Sequence, residues 1–467
     1  MRRLPLLLAL TCAIASAAAA ERETRIADAA LATAAKLREA ALADDTGWKV
    51  TESLTTEVGP RMGGSEGDAR AVAWAQAKFR ELGFDKVWTE PVTFPKWVRR
   101  SERAEVLGAH SQPLYVTALG GSPGGTVEGE VVRFEGLEAL QAAPEGSLKG
   151  KIAFVDFTME RKRDGADYRI GGGIRGRGPS EAIRKGAIGY VMRSAGTDSH
   201  RVPHTGMTRF ADGLTPIPSA ALSVPDAEQL SRLVALGPTR IRLSLDCGID
   251  GEYTSYNVIG EITGRKKPDE VVLIGGHLDS WDLGTGAIDD AAGIGISMAA
   301  AKLVKPLKPA RTIRVVAFAN EEQGLHGGFA YAKKHAAEIE RHVIAAESDF
   351  GAGRIYAFDS SAPDYAQNAI RRIAGVLAPL GIELQPGEGG PESDIGPFAA
   401  QGMAWASLNH DGTQYFDLHH TADDTLDKID PKDLAQNVAA YAVFTYLAAE
   451  AQGDFGSAPK AEAPPAR

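Results

Sequence analysis

A chain of 467 residues is too long for one ordinary hydrophobic core, so two domains are the starting expectation. With 44% hydrophobic and 24% charged residues the composition is that of a folded globular protein, neither disordered nor collagen-like. The formal net charge is −10 and no long basic run occurs, which argues against nucleic-acid binding, because a phosphate-binding surface needs clustered Lys and Arg.

The chain opens with Arg2 and Arg3, an apolar stretch over 4–15 and a run of small residues over 16–20. Ala18-Ala19-Ala20 before Glu21 fits an A-x-A cleavage site, so residues 1–20 read as a signal peptide and the mature protein as exported, periplasmic or secreted. The apolar stretch is too short to span a bilayer, and no later segment reaches ~18 uninterrupted apolar residues, so no membrane association is expected after cleavage. Of the two cysteines, Cys12 leaves with the leader and Cys247 stands alone. A disulfide within the mature chain is then excluded, and any metal must be held by His and carboxylates.

Residues 26–42 are rich in Ala, Leu, Lys and Glu and read as a helix ended by Asp44-Asp45-Thr46-Gly47. A second helix is expected over 68–82, stopped by Gly83; both belong to an N-terminal part of the main domain, 21–120. The breaker-rich Gly120-Gly121-Ser122-Pro123-Gly124-Gly125 then introduces short strands at 130–134, 151–157 and 187–192, so 121–248 reads as an inserted, β-rich domain. Gly171-Gly172-Gly173-Ile174-Arg175-Gly176 lacks the spacing and preceding strand of a nucleotide loop and reads as a mobile loop. His200 and His204 read as surface residues of the insert, with an active-site lid as the alternative.

Over 249–452 strand, loop and helix alternate. Strands are expected at 271–274, 313–319, 343–346 and 403–408, with helices over 293–304 and 327–335. A last helix starts with Asp430 as N-cap and Pro431 in its first turn, burying Leu434, Val438, Tyr441 and Ala448. Residues 453–467 have no apolar period and read as a disordered tail. The expected fold class is α/β: an open mixed, mainly parallel sheet flanked by helices, carrying the β-rich insert.

In such sheets ligands bind beyond the carboxyl ends of the strands. His277-Leu278-Asp279 follow the first of these strands, Asp289-Asp290 precede the next helix, Glu321-Glu322 follow the second strand, and Glu347-Ser348-Asp349 the third. His419-His420-Thr421 and Asp424 follow the fourth after a loop. His and carboxylates without Cys describe a catalytic zinc-type site with open coordination. A lone histidine is more often a packing residue, and His326, His335 and His342, on or beside helices, are read that way.

Gly275-Gly276-His277-Leu278-Asp279-Ser280, Gly286-Ala287-Ile288-Asp289-Asp290, Ala319-Asn320-Glu321-Glu322-Gln323-Gly324, Glu347-Ser348-Asp349 and His420-Thr421-Ala422-Asp423-Asp424-Thr425 resemble, in order, the motifs of the M28 zinc-peptidase family. Trp281-Asp282 and the His419-His420 pair resemble its carboxypeptidase Q branch, and segments 148–155, 187–191 and 217–223 resemble the protease-associated (PA) domain that recurs as an insert there. The resemblance implies the zinc-exopeptidase fold and two Zn2+ ions, one on His277 and Asp349, the other on Glu322 and His420, with Asp289 bridging. It also implies a cis Asp289–Asp290 peptide, with Asp290 and Asp424 beside the ligands. Asp279 is placed to accept the other N–H of the His277 ring. Glu321 is left as general base for an activated water. Many members carry Tyr just before the last ligand; here that residue is His419, so the oxyanion donor is either His419 or Tyr415. Asp394, in Glu392-Ser393-Asp394, is either a substrate-pocket residue or an ordinary loop cap. The implied activity is exopeptidase cleavage of short peptides, dipeptides above all, by a homodimer. An aminopeptidase acting on longer peptides is the nearest alternative. A glutaminyl cyclase-type transferase and a non-catalytic binding protein of the same fold fit less well, because no expected ligand is missing.

Overall fold

The computed structural model describes residues 23–387 and 389–457. Its strands are β1 (Lys86–Leu107), β2 (Gln112–Leu114), β3 (Val116–Ala118), β4 (Gly125–Phe134), β5 (Ile152–Val155), β6 (Gly189–Arg193), β7 (Ser219–Leu222), β8 (Arg240–Ile262), β9 (Lys267–His277), β10 (Arg311–Phe318), β11 (His342–Glu347), β12 (Ile355–Ser360), β13 (Glu383–Leu384) and β14 (Ala406–His410). Eleven of them form one continuous sheet, ordered β11-β9-β10-β8-β4-β5-β6-β7-β3, with β1 on β8 and β2 on β1. The long strands β1 and β8 pair antiparallel from Lys86↔Glu261 to Leu107↔Arg240 and carry the sheet from the main domain into the insert.

Strands β9, β10 and β11 run parallel, and their residues are almost all buried. Alternation explains how both faces stay dry. Val272, Ile274, Val315 and Ala346 pack toward helices Ala292–Val304 and Pro431–Glu450, whereas Leu273, Val316 and Ala345 pack toward Tyr331 and Ala332 of helix His326–Lys334. The last long helix begins as its sequence predicts, with the Asp430 carboxylate accepting from the Lys432 amide and Pro431 in the first turn. Helix Asp28–Leu42 buries Ala30, Ala34, Leu37 and Ala41, one helical stripe. It ends before Asp44-Asp45, as expected, and Thr46 opens a further helix that was not anticipated, Thr46–Ser53.

The insert differs from its β-rich expectation. Strands β4 to β7 are parallel neighbours; helices Leu137–Ala142 and Tyr168–Arg184 lie between them in sequence and Val224–Leu236 follows β7, so this part is itself α/β. The glycine run read as a mobile loop lies inside helix Tyr168–Arg184. Small residues there allow close packing on the sheet: a Cβ on Gly178 would lie 2.2 Å from the Tyr190 hydroxyl. The tail expectation also needs correction over 453–457, because Phe455 is fully buried and the Ser457 hydroxyl accepts from the Ala404 amide. The expected leader at 1–20 and the rest of the expected tail, 458–467, lie outside the described residues. Among the described residues no helix is long and apolar enough to cross a membrane.

Candidate metal centre

The five expected ligands arrive from five chain segments at the carboxyl ends of β9, β10 and β11. His277 closes β9, Glu322 follows β10, Asp349 follows β11, Asp289 lies in the turn before helix Ala292–Val304, and His420 follows the short helix Tyr415–Leu418. Asp289 stands in the middle. Its Oδ1 is 2.9 Å from His277 Nε2, which lies 3.2 Å from Asp349 Oδ1. Its Oδ2 is 3.3 Å from His420 Nε2, which lies 2.9 Å from Glu322 Oε2. One carboxylate thus faces two separate donor sets through its two oxygens. The Asp289–Asp290 peptide is cis, as the motif implied.

The surrounding chain holds these groups by satisfying the backbone near them. Asp290 accepts from the His277 amide at 3.0 Å and from the Gly293 amide at 2.9 Å. Gly293 is required there, since a Cβ would meet the Ser348 carbonyl at 2.0 Å. One oxygen of Asp424 accepts from the amides of Ala287 and Ile288, both at 2.7 Å, and so fixes the turn that presents Asp289. Asp279 plays a different part from the one expected. The acceptor nearest the His277 Nδ1 is its main-chain carbonyl, at 3.1 Å, with the carboxylate 3.6 Å away. That carboxylate accepts instead from the amides of Glu321 (3.0 Å) and Glu322 (3.3 Å), anchoring the chain that carries both glutamates. The fully buried Arg61, which no motif marked, donates to the carbonyls of Leu278, Thr285 and Gly286.

The electrostatics show what the donor set lacks. Burial pushes Asp289 up, and burial together with Asp289 pushes Glu322 well up. Glu321 is pushed up to about 8 by burial and by Asp349. Burial alone would lower His277, but Asp349, Asp279 and Asp289 around it raise it well above its ordinary value. His419 and His420 are held well down by burial, so their rings stay neutral and keep a lone pair. Asp289 Oδ2 and Glu322 Oε1 are buried without a hydrogen-bond partner. Unsatisfied carboxylate oxygens beside the neutral His420 ring in one half, and two carboxylates crowded on His277 in the other, suit divalent cations, so the residues fit the metals their motifs implied.

The remaining candidates divide. The His419 ring stacks on His420 at 3.5 Å and brings its Nε2 to 3.5 Å from Asp289 Oδ2. The Tyr415 ring lies 4.9 Å from the His419 ring, and its hydroxyl is pushed well up by burial and by Asp289, Asp349 and Glu322. Asp394 is buried; it accepts from the Gly328 amide in the first turn of helix His326–Lys334, and its own amide donates to Glu347. His335 and His342 pack away from the ligands, beside Glu90 and Tyr331 respectively. His204 is not on the surface: it is 1% exposed and bonded to the main chain of His419. His200 pairs with Asp423 at 2.8 Å. Arg61 and Thr205 are site residues that sequence reasoning passed over, and His204 is one it weighed only as a surface or lid residue. Each acts through backbone atoms of distant segments, for which the sequence carries no local signal.

A family model described as Peptidase family M28 matches residues 257–445. Carboxypeptidase Q of Homo sapiens is 34% identical over 405 residues, covering 85% of this chain and 84% of that protein. The crystal structure of a Peptidase M28 precursor from Shewanella amazonensis SB2B superposes with a TM-score of 0.90 at 49% identity, covering 93% of this chain and all of that one. A zinc aminopeptidase from Bacillus subtilis shares the fold, with a TM-score of 0.62 at 19% identity over 86% of this chain and 94% of its own.

Proposed function

The chain belongs to peptidase family M28, a family of metallopeptidases, and from that premise we propose that it is a two-zinc exopeptidase that hydrolyses short peptides, dipeptides foremost. The observation that carries the reading is Asp289, whose two oxygens face His277 with Asp349 on one side and His420 with Glu322 on the other. A zinc pair held by these five residues supplies Lewis-acid polarisation of the scissile carbonyl and of the attacking water. The carboxyl of Glu321 makes no hydrogen bond or ion pair among the described residues, and the Asp279 carboxylate fixes its backbone. It takes the proton from the attacking water and returns it to the leaving amine. Tyr415, whose phenol is kept protonated by burial and by the neighbouring carboxylates, donates to the developing oxyanion.

Preference for short substrates is supported by the insert, which covers the second half of the site. The Tyr168 ring packs edge-on at 4.9 Å to His419, and the Thr205 amide donates to the His420 carbonyl. We read residues 121–248 as a PA-type insert, the chain as a homodimer, and residues 1–20 as an export signal whose removal N-terminal sequencing of the mature protein would reveal. The activity is tested with dipeptides and longer peptides, free or blocked at either end, with and without chelator. Chelator-sensitive cleavage that requires both termini free and fades with length is the expected result. Cleavage of long peptides with a blocked carboxyl end would identify aminopeptidase action instead, and chelator-insensitive cleavage would refute the metal reading.

A further inference from the structure

The insert does more than cover the site. His204 points its Nδ1 at the His419 carbonyl (2.8 Å) and its Nε2 at Asp198 Oδ2 (2.6 Å), while its amide donates to Ser194 Oγ (2.8 Å). The next residue closes a reciprocal pair with His420: the Thr205 amide donates to the His420 carbonyl at 3.0 Å, and the Thr205 carbonyl accepts from His420 Nδ1 at 3.2 Å. Thr205 is tied in turn to the main domain, its hydroxyl donating to the Ala118 carbonyl and accepting from Arg99. A carbonyl can only accept, so His420 Nδ1 carries the proton and Nε2 presents its lone pair toward Glu322 and Asp289. The clamp also holds an unusual backbone, since His420 has φ +62°, a left-handed conformation that costs a non-glycine residue free energy and persists where surroundings over-determine it.

We propose that residues 198–205 of the insert are an integral part of the Glu322–His420 half of the metal centre, with His204 a positioning residue. By holding the His419 carbonyl while Asp198 fixes its ring, His204 sets the His419-His420 backbone; Thr205 then selects the ring tautomer that can bind metal. The Asp349–His277 half has no such contact with this segment among the described residues. The proposal rests on the two-zinc reading.

The test uses the zinc-loaded full-length enzyme, dialysed against graded chelator, with zinc per chain measured by elemental analysis. In His204→Phe, which keeps the volume but loses both hydrogen bonds, one of the two zincs is expected to leave at ~10–100-fold lower chelator than in wild type. The other should be retained as before. His204→Asn, whose side-chain N–H falls near the position of the imidazole Nδ1–H, should bring the early loss back toward wild type. Leu230→Ala, a truncation in the buried core of the insert that removes none of this segment's hydrogen-bonding groups, controls for general destabilisation. Should His204→Phe not accumulate as folded protein, His204→Gln replaces it, since its donor stands one atom further out. Release of both zincs at wild-type chelator would overturn the proposal. So would loss of both together in step with Leu230→Ala, which would assign a merely structural role. Wild-type enzyme that never holds more than one zinc would overturn the two-zinc reading itself, and this proposal with it.

Discussion

Asp279→Ala separates the role found for this residue from the one its position beside His277 suggests. The buried carboxylate accepts from the Glu321 amide at 3.0 Å and the Glu322 amide at 3.3 Å, while the contact to the His277 ring is made by its main-chain carbonyl, which the substitution leaves in place. Hydrogen bonds to a charged acceptor are worth about 1.5–3 kcal/mol each, and the alanine leaves two donors unmet near a strand end. A water entering the vacated space would recover part of this, so the expected loss of stability is about 2–4 kcal/mol. Loosening Glu321 and Glu322 together displaces the proposed base and one proposed ligand at once, and displacement of ~1 Å at reacting groups costs about 10²-fold in rate. Urea unfolding of the zinc-loaded protein measures the first quantity and kcat on a dipeptide the second. Asp279→Asn, which keeps one acceptor oxygen, should fall between wild type and alanine in both. A midpoint shifted by less than about 1 kcal/mol together with undiminished kcat would refute the reasoning.

Glu321→Gln should lower kcat by about 10²–10⁴-fold while zinc content and urea midpoint stay at wild-type values, because the amide keeps the shape and loses the proton acceptor. Arg61→Met should cost about 3–5 kcal/mol in urea unfolding, since the carbonyls of Leu278, Thr285 and Gly286 lose a buried cationic donor. His342, held down to about 3 from its ordinary 6.5 by burial, is neutral when folded, so the unfolded chain takes up a proton that the folded chain refuses. The stability this gives is present above pH 6.5 and is lost as pH falls toward 3. Between pH 7.5 and 4.5 the stability advantage of wild type over His342→Gln should therefore narrow by about 2–3 kcal/mol, measured by urea unfolding at both pH values.

The centre of the site was legible because its chemistry sits where a parallel sheet always offers it. Continuous apolar runs such as Val271-Val272-Leu273-Ile274 mark buried strands, and the polar residues just past them have little to do in a core. The supporting contacts were not legible for the opposite reason. His204 meets the His419 carbonyl across 215 residues of sequence, and Arg61 reaches Leu278 across 217; both use main-chain acceptors that any residue type supplies. Composition misled where packing overrode propensity: Gly171 to Gly176 reads as a loop until the sheet beneath it demands a helix with few side chains. Asp279 was placed correctly in space but credited with the wrong atoms, since spacing cannot tell a carboxylate from the carbonyl of the same residue.

The most direct test of the centre is zinc content and dipeptide hydrolysis measured on the same samples while zinc is returned stepwise to chelator-treated enzyme. Two donor sets sharing Asp289 predict that activity rises until two zincs per chain are bound and goes no higher. Full activity at one zinc per chain, or at none, would contradict a centre built on two.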